Sequence, residues 1–110
     1  MVKYILVMRW DYEYDKESTW YNEDSGEQQY ELIEGAQYPL PHEEKIKVEI
    51  RSITREGDTV TAEVYVDHHT VMVVSGGEPV VAHASNSYVV CGDSVHESWR
   101  LRFSLLPAGE

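Results

Sequence analysis

Three carboxylates stand two residues apart near the start of the chain: Asp11, Glu13 and Asp15. In an extended strand, residues i and i+2 share a face, so the three form a ladder spread over roughly 14 Å. A ladder of this kind can sit solvated at a strand end, meet the lysines and arginines of a partner, or hold a hard cation. Calcium takes about six to eight oxygens, and a straight strand spreads three carboxylates too widely for one ion. The Asp-x-Asp-x-Asp-Gly loop that would gather them is missing from the sequence. No metal and no cofactor is therefore expected.

The ladder lies among aromatics. Trp10, Tyr12, Tyr14, Trp20, Tyr21, Tyr30 and Tyr38 are seven of the chain's twelve aromatic residues. Tyr and Trp give large contact areas at low entropic cost and are enriched at binding hot spots. Carboxylates around them would steer a cationic partner. Trp10 and Tyr12 are read as the wide end of the core. Trp20 and Tyr21 lie in a polar stretch without periodicity and are read as exposed anchors. Asp11, Glu13, Asp15 and Glu23 supply the surrounding charge, and these six residues form the candidate partner-binding set. Aromatic faces flanked by carboxylates also suit carbohydrate, which stacks on rings and donates its hydroxyl hydrogens.

The remaining reactive residues show no catalytic spacing. Five histidines (His42, His68, His69, His83 and His96) match neither a zinc ligand pattern nor His-Glu-x-x-His. Cys91 ends the apolar run Tyr88-Val89-Val90 and is expected to be a buried, inert thiol. Ser75-Gly76-Gly77 joins two strands rather than opening a helix, so it is not a phosphate loop. No catalytic residue is assigned.

Charge narrows the partner classes. The net charge is −11, and residues 11–44 hold eleven carboxylates against Lys16 alone. A negative surface repels phosphate, so nucleic acid and anionic membranes are disfavoured, while a basic protein surface is favoured. Solubility is the plain alternative use of such charge. A single cysteine fits a reducing cytosol. Apolar residues 4–8 are too few for a secretory segment, and no run approaches the roughly 20 residues of a membrane span, so the expected location is cytoplasmic.

Positioning these residues falls to strands. Residues 2–14 alternate, with Val2, Tyr4, Leu6, Met8, Trp10, Tyr12 and Tyr14 on one face. A strand that long predicts a bulge or bend near Arg9–Asp11. Residues 15–26 read as a polar loop with a turn at Asn22–Gly26. Residues 27–34 read as a short helix, opened by a Ser25/Gln28 capping box and closed by Gly35. Tyr38-Pro39-Leu40-Pro41 reads as a connector, because two prolines remove ladder donors. Ile46, Val48 and Ile50, then Val60, Ala62, Val64 and Val66, alternate about a Gly-containing turn and predict a hairpin. Strands follow at about 70–75, 79–84 and 87–91, and a last strand carries Trp99, Leu101, Phe103 and Leu105 inward.

The expectation is one mainly β domain over residues 1–110: a small antiparallel sandwich or partly open barrel of seven to eight strands, with at most one short helix. Val71–Val74, Val80–Ala82 and Tyr88–Cys91 are apolar on both faces, so they are expected at sheet centres, with a homodimer covering what the chain does not. The favoured function is a non-catalytic binding domain engaging a basic protein, of inhibitor, immunity or adaptor type. A carbohydrate- or small-molecule-binding β module ranks second. A small β-barrel enzyme using histidine and carboxylates ranks third.

Overall fold

Period-two alternation dominates this chain, and it builds two four-stranded antiparallel sheets. A computed structural model describes residues 3–16 and 20–108. Sheet A has the order β2-β1-β8-β7, formed by β1 (Tyr4–Lys16), β2 (Trp20–Glu31), β7 (Val80–Val90) and β8 (Asp93–Pro107). Sheet B is the meander β3-β4-β5-β6, formed by β3 (Gln37–Leu40), β4 (Glu43–Glu56), β5 (Thr59–Val66) and β6 (His69–Val74). Two hairpins, β1–β2 and β7–β8, thus meet along β1 and β8, and the meander inserted between them forms the second layer. The result is a sandwich rather than a closed barrel, and no helix occurs among the described residues.

The core is the inward row of each strand. Leu6, Met8, Trp10 and Tyr12 on β1 meet Trp99, Leu101, Phe103 and Leu105 on β8, and both face Val48, Ile50, Val60, Ala62, Val64 and Val66 of sheet B. Strands of 11–15 residues in sheet A make the body long, 54 × 21 × 20 Å. Two-residue turns close four hairpins among the described residues, and in two of them, Asp67-His68 and Cys91-Gly92, both residues have φ between 46° and 83°. These left-handed pairs match the twist of the strands they join.

Several expectations are corrected. Residues 20–31 form a strand, not a loop with a turn followed by a helix at 27–34. Every residue of β2 pairs with β1, from Lys16↔Trp20 to Ile5↔Glu31, and this pairing overrides the helical preference of Glu27, Gln28 and Gln29. Gly26 lies mid-strand under the Trp10 ring, where a Cβ would come within 2.7 Å of Trp10 Cζ2. Strand β1 carries no bulge, since its register with both neighbours is unbroken. The bulge falls instead on β4, between Ile50 and Ser52, and it moves the inward set from Val48 and Ile50 to Ile53.

Residues 37–40 are a short edge strand instead of a connector, tolerable because Pro39 sits in a strand paired on one side only. Segments 79–84 and 87–91 merge into the single strand β7. The doubly apolar runs of β6 and β7 lie at sheet edges, not centres. Their apolar outer residues, including Met72 and Val89, remain exposed. Cys91 is exposed at the β7–β8 turn, because the apolar strand ends one residue before it.

Candidate functional site

Alternation along β1 sends Arg9, Asp11, Glu13 and Asp15 to the outer face of sheet A, opposite the buried row of Met8, Trp10 and Tyr12. Register then decides their neighbours. Asp15 pairs with Tyr21, Glu13 with Glu23 and Asp11 with Ser25 on β2. On the other side the same three residues pair with His96, Ser98 and Arg100 of β8. Antiparallel partners share a face, so Asp11, Glu13, Asp15, Tyr21 and Glu23 gather on one open surface.

Tyr21 is 54% exposed, and its hydroxyl donates to Glu23 Oε1 at 2.7 Å. That hydrogen bond, with the negative charge of Glu13 and Glu23 nearby, pushes its phenol up to about 12. The tyrosine is therefore a fixed neutral donor among carboxylates. The ladder itself is unevenly compensated. Arg102 Nη2 reaches Asp11 Oδ2 at 3.3 Å, and Arg9 Nε holds Glu27 Oε1 at 3.0 Å. Among the described residues no ion pair holds Glu13, Asp15 or Glu23. The uncompensated charge thus sits at the end of the face where Tyr21 stands, and Asp11 marks its boundary. The side chain of Trp20 lies outside the described residues; its backbone pairs with Lys16.

The face is divided by charge. Acidic residues occupy β1 and β2, while Arg100 and His83 occupy β8 and β7 beside them. Between the two halves runs an open trough of 670 Å³, lined by Glu13, Glu23, Ser98, His83 and Arg100 among others.

A second polar group lies on the inner side of the same end, and the sequence reading missed it. Glu97 is 5% exposed. One oxygen accepts from the Tyr12 hydroxyl, and the other accepts from Asn86 Nδ2 at 3.0 Å. Burial first, and the bond to Glu97 second, push the Tyr12 phenol well above its ordinary range. His42 stacks on the Tyr12 ring at 4.1 Å and bonds Asp24 Oδ2 at 2.8 Å through Nε2. This bond and one from the Ser25 amide hold the Asp24 carboxyl below its usual range. Glu97 has the inward parity of Val95, Trp99 and Leu101, so its position was readable as a carboxylate in a core row.

No three potential metal ligands cluster among the described residues. No described helix is long and apolar enough to cross a membrane. No family model, curated protein or solved structure matches the chain.

Proposed function

We propose that this chain is a non-catalytic binding domain whose acidic strip on sheet A engages a basic surface of another protein, as an inhibitor, immunity or adaptor protein does. One observation carries this reading: Glu13, Asp15, Tyr21 and Glu23, from two strands, occupy one exposed face with little compensating charge. Long-range attraction comes from the carboxylates, and the Tyr21 ring offers contact area beside Asp15 and Glu23. A phosphate-bearing surface would meet the same charge as repulsion. The test is capture from the native host with the wild type and with a Glu13→Gln/Asp15→Asn/Glu23→Gln variant, followed by mass spectrometry. A basic protein recovered by the wild type and lost by the variant supports the reading. Identical recovery by both contradicts it.

The trough favours a second reading, a carbohydrate or other small polar ligand held between Glu23 and Arg100. Glu13, Ser98 and His83 line the same trough and would bond such a ligand's polar groups. Salt separates the two readings. Charge-steered protein binding weakens steeply as ionic strength rises, while sugar stacking hardly changes.

A further inference from the structure

Among the edge strands, β7 differs from the others in kind. Strand β2 carries Glu23, Asp24, Glu27 and Glu31, β3 has four residues including Pro39, and β6 has six residues. Strand β7 runs eleven residues, Val80-Val-Ala-His-Ala-Ser-Asn-Ser-Tyr-Val-Val90, without a carboxylate, lysine, arginine or proline. These are the devices that usually blunt an edge.

The same eleven residues are self-complementary about Ser85. Reversing the strand sets Val80 against Val90, Val81 against Val89, Ala82 against Tyr88, His83 against Ser87, and Ala84 against Asn86. A two-fold axis at Ser85 would therefore match apolar with apolar at both ends of the strand and set a small residue against a larger one at Ala82–Tyr88 and Ala84–Asn86. Face parity is kept, so outer Val81 would meet outer Val89, which is 69% exposed. The acidic strands would stay apart. β1 and its copy would be five strand intervals distant, roughly 24 Å, well beyond the Debye length of about 8 Å.

One residue opposes this pairing. Asp67, in the β5–β6 turn, accepts the Ser85 backbone N–H on Oδ2 at 2.9 Å. That amide therefore points away from β8. Since the β7–β8 register is unbroken, the N–H and C=O groups of Val81, His83, Ser87 and Val89 face the same free edge. Asp67 occupies the centre of that edge. In a symmetric pair, two such carboxylates would also meet at the axis.

We propose that β7 is a self-pairing edge for a second copy of this chain and that Asp67 is the latch that keeps it closed. This inference rests on β7 and is independent of the acidic face. Asp67→Gly suits the left-handed φ of 46° at that position and removes the carboxylate. Sedimentation over a wide concentration range, with folding followed by circular dichroism, is the test. The wild type sediments as a monomer, and Asp67→Gly tightens self-association at least about tenfold, as loss of the blocking charge requires. Adding Ser85→Pro, which removes an edge donor without touching the β8 ladder, returns the variant to monomer. Asp67→Asn, which tolerates the same φ but keeps an acceptor, gives a smaller shift and serves if the glycine variant does not fold. The proposal is overturned if the folded variants stay as monomeric as the wild type. A dimer that survives Ser85→Pro, or a wild type that already pairs as tightly as the variants, overturns it equally.

Discussion

The Tyr12 hydroxyl donates to the buried carboxylate of Glu97, joining residues 85 positions apart on neighbouring strands. Their strands pair as Tyr12↔Trp99 and Tyr14↔Glu97, so the bond runs diagonally across β1 and β8. A carboxylate this buried is costly unless its oxygens are satisfied, and Tyr12 and Asn86 supply one donor each. The bond thus ties the two ends of the chain where the hydrophobic core gives way to polar residues.

Tyr12→Phe leaves one Glu97 oxygen without that donor and should destabilise the fold by about 1–3 kcal/mol in a denaturant melt. Combining it with Glu97→Gln should cost clearly less than the sum of the two single changes, because the two groups act as a pair. Strict additivity would show that the bond contributes nothing.

Gly26 is small because the Trp10 ring lies across it, with Trp10 Cε2 2.9 Å from where a Cβ would stand. Gly26→Ala must displace that ring, and overpacking of this kind costs about 1–3 kcal/mol. A thermal melt showing no loss would mean that the ring shifts freely.

Phe103 is completely buried on β8, as the alternation of Trp99, Leu101 and Leu105 around it implies. Phe103→Ala should lose about 3–5 kcal/mol, the usual cost of emptying an aromatic site. A loss under about 1 kcal/mol would contradict the inward assignment of this row.

Alkaline titration should single out particular tyrosines. Burial, and the neighbouring Tyr38, push the Tyr30 phenol from 10.0 up to about 12. A phenol raised on folding stabilises the protein fully below its unfolded value and loses that contribution as pH climbs through the folded one. Tyr30's contribution to stability should therefore be lost between about pH 10 and 12, with Tyr12 and Tyr30 ionising clearly above pH 10 in the ultraviolet difference spectrum. Ionisation of every tyrosine near pH 10, with the fold intact, would contradict the burial of both rings.

Strands whose two faces differ were legible in the sequence. The β4–β5 hairpin and the inward row of β8 follow from alternation, because the opposite sheet of the sandwich covers one face of each. Strand β2 was not legible. Its outer face is solvated, and its inner row at the Trp20 end meets a polar region holding Asn22 and Asp24, so no alternation of hydrophobicity marks it. Without that alternation, the turn residues at 22–26 and the Ser25/Gln28 capping box made residues 20–31 look like a loop and a helix. The candidate residues were chosen by type and by proximity in sequence, whereas their shared face comes from the β1–β2 register. Periodicity could not supply it while β2 was read as a loop. Glu97 is easily missed in the sequence because the unbroken apolar inward row of β8 begins at Trp99, and a carboxylate two residues earlier looks like part of the preceding turn. The edge positions of β6 and β7 were hidden because an apolar run at an edge looks the same in sequence as one at a centre.

The acidic face itself is tested most directly by association kinetics with the captured basic partner across a range of ionic strength. For the wild type, the association rate should fall roughly tenfold or more from low to high salt, as screening removes long-range attraction. The Glu13→Gln/Asp15→Asn/Glu23→Gln variant should associate slowly at every salt concentration, with a flattened dependence. Its stability should stay within about 0.5 kcal/mol of wild type, since these side chains are exposed. Tyr21→Ala should act on dissociation instead, speeding it by the equivalent of about 2 kcal/mol. An association rate indifferent both to salt and to the three neutralised carboxylates would contradict the account and leave the charge a role in solubility alone.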